Sequence, residues 1–178
     1  MASKIELLYE GKHLRLLKDG RWEYAQRLSN RGAVFVLAVT AERELILVEQ
    51  YRVPLQARTL EMPAGILGDE AAYPDESPES CALRELEEEA GFRGGKARLL
   101  MSGPVAAGLT SEILYLVLVE DLKRVSAGGG VDGEDITVHT VPLGRVQAWL
   151  DEKRRTGLWI EPRIYAGLYF LSNHSGQA

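Results

Sequence analysis

The chain has 178 residues, 46% of them apolar, which suits one compact domain with a sizeable core. Its 26 acidic and 21 basic side chains give a net charge of −5, which excludes a general nucleic-acid surface and leaves a phosphate-bearing ligand dependent on local cations or arginines. No run of about eighteen apolar residues exists to span a bilayer, the N-terminal MASKIELLYEGK lacks a secretory apolar segment, and the single Cys81 cannot close an internal disulfide, so no membrane role and a cytoplasmic location are expected.

Lys4 to Tyr9, His13 to Lys18 and Arg21 to Arg27 alternate polar and apolar residues and read as three short strands, with Asp19-Gly20 as the turn between the last two. One face of this extension, residues 1–30, needs a cover, either the protein's own core or a partner subunit. Residues 31–178 form the main domain. Ala33 to Val39 is a nearly continuous β-branched and apolar run, expected of a strand buried on both faces, and Leu45 to Gln50 follows it as a second central strand. Regular pairing should end at Val53-Pro54. Leu60 to Gly65 reads as the next strand, where Gly65 allows backbone to approach a ligand closely.

Ser77, Pro78 and Gly91 mark a helix over Pro78 to Ala90: a capping hydroxyl, a first position that wastes no amide, and a residue suited to the left-handed stop. Leu83, Leu86 and Ala90 share one side, with Cys81 beside them as a packed small residue. Glu85, Glu88 and Glu89 stand at i, i+3 and i+4, a spacing at which like charges repel by a few tenths of a kcal/mol per pair. Either they form a solvated acidic face, or a hard divalent cation gathers them.

Ala97 to Ser102 and Ile113 to Glu120 read as strands joined by the loop Gly103 to Glu112. Ser126 to Asp135 holds four glycines in ten residues. The chain beyond it is too short for a second domain, so it reads as a mobile active-site loop before the strand Ile136 to Pro142. Arg145 to Lys153 and Pro162 to Leu171 close the chain as helices, and Ser172 to Ala178 reads as a frayed tail. His13, His139 and His174 share no metal-ligand spacing.

Arg84-Glu85-Leu86-Glu87-Glu88-Glu89-Ala90-Gly91-Phe92, with Glu76 eight positions before Arg84, resembles the Nudix box, G-x5-E-x7-R-E-U-x-E-E-x-G-U. The opening glycine departs from that pattern: Glu70 stands in its place, Gly65 is the equivalent, and Ile66 to Asp75 becomes a loop lengthened by five residues. LEMPAG before the box, GLTSE after it and an acidic loop ahead of Ile136-Thr137-Val138-His139 extend the resemblance to the hydrolases of ADP-ribose and other nucleoside diphosphate sugars.

The resemblance implies an α/β Nudix fold, a mixed sheet sandwiched between helices, with an N-terminal antiparallel β extension. It implies Mg²⁺, or alternatively Mn²⁺, held by Glu85, Glu88, Glu89 and the Ala64 carbonyl, and a pyrophosphate contact from Arg52. Glu112 is placed at the bound water or the terminal ribose. Glu134 is the leading general base, with Asp132, Glu112 and Glu88 as alternatives. Relatives of this kind are commonly homodimers whose N-terminal strands build the partner's site, where Trp22 or Tyr24 would stack on a base. The implied reaction is Mg-dependent cleavage of a nucleoside diphosphate sugar into a nucleoside monophosphate and a sugar phosphate, ADP-ribose being slightly favoured. Two alternatives remain: hydrolysis of nucleoside triphosphates or dinucleoside polyphosphates, and a non-catalytic nucleotide sensor.

Overall fold

The computed structural model describes residues 5–28, 31–68, 73–131 and 133–174. Three antiparallel strands, β1 (Glu6–Glu10), β2 (Leu14–Asp19) and β3 (Trp22–Arg27), form a sheet of their own, in the order of the chain. Gly20 turns between the last two at φ +58°. The extension meets the rest where the Ala25 amide donates to the Leu109 carbonyl at 2.8 Å and the Ser111 amide to the Ala25 carbonyl at 3.2 Å. Among the described residues of the extension Leu17 alone is buried; Leu7, Leu14 and Leu16 stay exposed, so the protein's own core does not cover them.

The main sheet is built from β4 (Ala33–Val39), β5 (Glu44–Arg52), β6 (Ala57–Glu61) and β7 (Ala64–Ile66). After α1 (Pro78–Ala90) and β8 (Phe92–Arg93) come β9 (Lys96–Pro104), β10 (Ile113–Glu120), β11 (Lys123–Arg124) and β12 (Ile136–Pro142). The helix α2 (Val146–Arg155), strand β13 (Trp159–Ile160) and helix α3 (Arg163–His174) complete the described chain. Eight strands join in the order β13-β6-β5-β4-β10-β9, with β12 on β5 and β7 on β4. The β4–β10 and β6–β13 pairs are parallel and the others antiparallel, so the sheet is mixed.

Successive side chains of a strand face opposite ways, and β4 uses both. Ala33, Phe35 and Leu37 pack towards α2 and α3 with Leu116, Leu150 and Ile164. Val34, Val36 and Ala38 pack towards α1 with Cys81, Leu86 and Val117. The unbroken apolar run therefore feeds two cores, one on each face.

The structure divides the expected Leu60–Gly65 strand in two. Pro63 has no amide to give a ladder; the chain steps across Met62-Pro63 from β6, which pairs with β5, to β7, which pairs with β4. The Pro63 carbonyl is still used, accepting from Val36 N at 2.8 Å. The last helix runs to His174, so Ser172 to His174 are helical rather than a tail. The two-residue strand β13 was too short to leave a periodic signal.

Candidate active site

The helix α1 begins and ends as its sequence dictates: the Ser77 hydroxyl accepts from the Ser80 amide at 3.2 Å, and Gly91 closes it at φ 75°. Its buried side carries Cys81, Ala82, Leu86 and Ala90, but also Glu85 and Glu89, which are 9% and 5% exposed. A solvated acidic face is thereby excluded for these two. Glu87 alone of the run turns out to solvent, where Arg93 meets it at 2.7 Å. Burial pushes the Cys81 thiol up, as for a packed side chain with no role as a nucleophile.

The positive charge that the spacing demands comes first from Arg84, whose own side chain is 12% exposed. Its guanidinium reaches Glu76 at 2.9 Å, Glu85 at 2.9 Å and Glu88 at 3.1 Å. A Cβ at Gly65 would run into the Glu85 carboxylate, so any larger residue there would have to displace that side chain. Glu89 lies outside Arg84's reach and accepts from the Ala64 amide at 2.9 Å. Burial pushes its carboxyl up to about 8; the Ala64 amide opposes this, Glu85 and Glu134 add to it, and Arg52 opposes it.

These groups line one cleft of about 1130 Å³ with Arg52, Glu112 and Glu134. Arg52 is held by Glu61 through two hydrogen bonds, at 2.8 and 2.5 Å, and the Thr59 hydroxyl donates to the same carboxylate. Glu112 is paired with Arg27, which brings the end of β3 into the cleft wall. Arg163, held by Glu161 at 2.5 Å, lies 3.7 Å over the Phe35 ring.

Glu134 arrives on the glycine-rich loop, and the glycines have a local reason. The amides of Gly129 and Gly130 donate to the Glu89 and Glu88 carbonyls at 2.9 and 3.2 Å, satisfying groups that a helix end leaves free. Gly128, at φ +71°, passes so close to Ala90 that no Cβ fits. The first part of the loop expected to be mobile is thus docked on α1. Its far end is strapped by Arg58, which donates to Asp135 and to Glu49 at 2.8 Å each, while His139 meets Glu49 at 3.1 Å. The Glu134 carboxylate accepts from the Val131 amide at 3.2 Å.

Seven of the ten residues singled out in the sequence therefore share the cleft: Ala64, Glu85, Glu88, Glu89, Arg52, Glu112 and Glu134. Trp22 does not. It is 56% exposed and lines a separate hollow of about 330 Å³ with Tyr24 and Thr110. Asp132 lies outside the described residues, as does part of the Ile66–Asp75 loop. Sequence reasoning missed Arg27, Gln50, Glu61, Trp159 and Arg163 in this wall. Glu61 carried the only usable signal, an acidic residue in an otherwise apolar strand.

Among the described residues no three acidic, histidine or cysteine side chains converge on one point that would enclose an ion. Glu85 and Glu88 are drawn to Arg84, and Glu89 to the Ala64 amide. The donor chemistry nonetheless suits a hard divalent cation, since every acidic ligand offered is a carboxylate. Four arginines, Arg27, Arg52, Arg84 and Arg163, line the cleft against seven glutamates, 61, 85, 88, 89, 112, 134 and 161. Each arginine is already committed to a glutamate, and among the described residues Glu89 and Glu134 have no ion-pair partner.

A family profile described as "NUDIX domain" matches residues 29–158. A Bacillus methanolicus protein named "Methanol dehydrogenase activator" is 31% identical over 158 residues, 85% of this chain and 83% of the relative. The "ADP-ribose pyrophosphatase" of Bacillus subtilis (strain 168) is 37% identical over 136 residues, 73% of this chain and 71% of the relative. The "GDP-mannose pyrophosphatase" of Enterobacter sp. (strain 638) is 33% identical over 120 residues, 63% and 60% of the two chains. A crystal structure described as an ADP compounds hydrolase superposes with a TM-score of 0.77 over 98% of this chain and 95% of its own, at 22% identity, a likeness of fold.

Proposed function

This chain belongs to the NUDIX family, and from that premise we propose that it hydrolyses the pyrophosphate bond of ADP-ribose or a related nucleoside diphosphate sugar, releasing a nucleoside monophosphate and a sugar phosphate. The observation that carries the reading is the burial of Glu85 and Glu89 in a cleft that also holds Arg52 and Glu134. Buried like charges are costly, and a cleft that keeps them is suited to a cation and its anionic cargo. Relatives named for ADP-ribose and for GDP-mannose support the substrate class.

Glu85, Glu88, Glu89 and the Ala64 carbonyl are the groups that would hold the divalent ion, for which we propose Mg²⁺ with Mn²⁺ as a substitute. Such an ion neutralises a diphosphate and makes water a better nucleophile. Arg52 gives Nε and one Nη2 hydrogen to Glu61 and keeps further donors for phosphate oxygens, so Glu61 orients it without consuming it. Glu134, exposed at the cleft and carried on a docked loop, is the residue we propose as the general base that would take a proton from the attacking water. Glu112, fixed by Arg27, closes the opposite wall.

Homodimerisation is part of the same reading, supported by the uncovered apolar face of β1–β3 in residues 1–30. Trp22 or Tyr24 would serve a partner's cleft, since within one chain they do not line their own. Among the described residues no helix is long and apolar enough to cross a membrane, and the lone buried Cys81 supports a cytoplasmic setting.

The likeness to an activator favours a second reading, a nucleotide sensor that regulates another enzyme. Incubation with Mg²⁺ and a panel of ADP-ribose, ADP-glucose, UDP-glucose, GDP-mannose and nucleoside triphosphates decides between them. Release of AMP and ribose 5-phosphate is the expected result. Tight binding of one compound with cleavage of none would establish the sensor instead.

A further inference from the structure

The reverse face of the sheet carries a polar cluster that the cleft does not contain. On β5, Gln50 and Arg52 line the cleft, so Glu49, next to Gln50, faces the other way. Its register neighbour on β12 is Thr137, and His139 stands two residues further along the same face, where its ring meets Trp149 of α2 edge-on at 5.2 Å. On β6, Arg58 pairs in register with Tyr51, two residues beyond Glu49, and so joins that face.

Glu49 is the centre of this cluster. Its side chain is 18% exposed and both carboxylate oxygens are used: Oε1 accepts from Arg58 Nε at 2.8 Å, and Oε2 lies 3.1 Å from His139 Nε2. Burial raises its carboxyl, but the hydrogen bonds from Arg58 and His139 outweigh burial and hold it below its ordinary value of 4.5. A carboxylate can only accept, so His139 carries a hydrogen on Nε2. Arg58 is held a second time, its Nη2 donating to the Glu49 carbonyl at 3.2 Å, and its Nη1 meets Asp135 at 2.8 Å. An ion pair to a side chain that is 82% exposed adds little to stability. It still fixes geometry here, because Glu49 sets the direction of the guanidinium and Asp135 must come to it. The residue before Asp135 is Glu134, which lines the cleft.

We propose that Glu49 and His139 are positioning residues for Glu134: His139, seated on α2, orients the Glu49 carboxylate, Glu49 aims Arg58, and Arg58 holds Asp135 so that the adjacent Glu134 carboxylate keeps one place in the cleft. The assignment rests on the reading of Glu134 as the general base and adds that its placement is set from the opposite side of the sheet. Neither residue touches the substrate, so both act on the rate of the chemical step and leave substrate affinity alone.

The test follows ADP-ribose turnover and amide hydrogen exchange in the full chain. Glu49→Ala is expected to lower kcat about tenfold with KM within about twofold. Glu49→Gln keeps an acceptor for Arg58 and should bring kcat back to within about threefold of wild type. His139→Phe keeps a ring against Trp149 without the hydrogen bond, and kcat should fall about threefold. Because Glu49 acts through Arg58 on Glu134, adding Glu49→Ala to Arg58→Ala or to Glu134→Gln should lower kcat by less than about a further twofold. In Glu49→Ala the Glu134 amide, which donates to the Val131 carbonyl at 3.1 Å, should exchange faster, while the Gly129 amide, docked on α1, keeps its rate. A full tenfold loss in either background would make the effect independent of Glu134 and overturn the proposal. So would a lower Tm with kcat and Glu134 exchange as in wild type, the pattern of a merely structural pair. Wild-type protein that cleaves nothing, with Glu134 exchange still faster in Glu49→Ala, would overturn the hydrolase reading and leave the coupling across the sheet standing.

Discussion

Arg84→Met removes the guanidinium from the centre of the acidic cluster while keeping most of its apolar stem. The Glu76 and Glu85 side chains are 5% and 11% exposed, so both lose their cationic partner without gaining water. Breaking a buried pair from one side costs about 3–5 kcal/mol. In a chain of this size 1 kcal/mol moves Tm by about 2–4 °C, so the expected loss is roughly 6–20 °C. The pH dependence follows from Glu76. Burial raises its carboxyl, but the Arg84 hydrogen bond and the Gly68 amide outweigh burial and hold it below its ordinary value of 4.5. A depressed carboxyl contributes stability that is present above the unfolded value and is lost as pH falls through the folded one. In the variant the Arg84 contribution is gone, burial prevails, and protonation relieves the strain as pH falls. The gap between wild type and variant should therefore be widest at neutral pH and close below about pH 5. Urea denaturation followed by circular dichroism at pH 7 and pH 4.5 measures it. A loss under about 1 kcal/mol at pH 7, or an equal loss at both values, would refute the reasoning.

Glu85→Gln and Glu89→Gln should abolish turnover at limiting Mg²⁺ while the far-ultraviolet spectrum is kept; Tm should hold or rise in Glu89→Gln, which removes like-charge repulsion, and fall in Glu85→Gln, which loses its pair with Arg84. Near-wild-type activity in either would remove it from the ligand set. Glu134→Gln should lower kcat by about 10²–10⁴-fold with little change in KM; an unchanged kcat transfers the base to Glu112, Glu88 or Asp132. Arg58→Ala frees the Asp135 end of the loop, and kcat should drop by about tenfold while Tm falls by only a few degrees; activity equal to wild type would mean that the strap does not position Glu134. Gly128→Ala places a Cβ against the Ala90 backbone at φ +71°, and a Tm equal to wild type would show that the loop is not docked there.

The legible parts of this fold are those where one residue type has a single physical solution. A run such as Ala33 to Val39 can only be a strand between two cores, and Ser77-Pro78 with Gly91 fixes both ends of α1. The acidic spacing was legible as a demand for positive charge, yet spacing cannot say which cation answers. Arg84, inside the same motif, answers first for Glu76, Glu85 and Glu88, and leaves Glu89 to burial. The four glycines before Asp135 suggested motion, whereas three of them allow close backbone docking that only the tertiary arrangement reveals. Gln50 and Trp159 were invisible for a different reason: their meeting in one wall depends on strand register, and no local pattern encodes register between β5, β6 and β13, while Arg27 reaches the wall through the docking of the separate β1–β3 sheet.

The pairing of every cleft arginine with a glutamate explains how a protein of net charge −5 can prepare for a ligand that is itself an anion. A free guanidinium would draw phosphate but would wander among rotamers, losing orientation; a guanidinium forked onto a carboxylate is held in place and still has unused donors. Arg52 on Glu61 is of this kind, and the Thr59 hydroxyl fixes the carboxylate that holds it; Arg163 reaches Glu161 through Nε alone, while its own amide donates to the other oxygen of that carboxylate. On the proposed function these arginines would orient the diphosphate rather than neutralise it, because their charge is already paired with Glu61 and Glu161. On that reading neutralisation would come from a bound cation, and Glu89, buried, hydrogen-bonded to the Ala64 amide and without an ion-pair partner among the described residues, is the candidate ligand that Arg84 does not already hold.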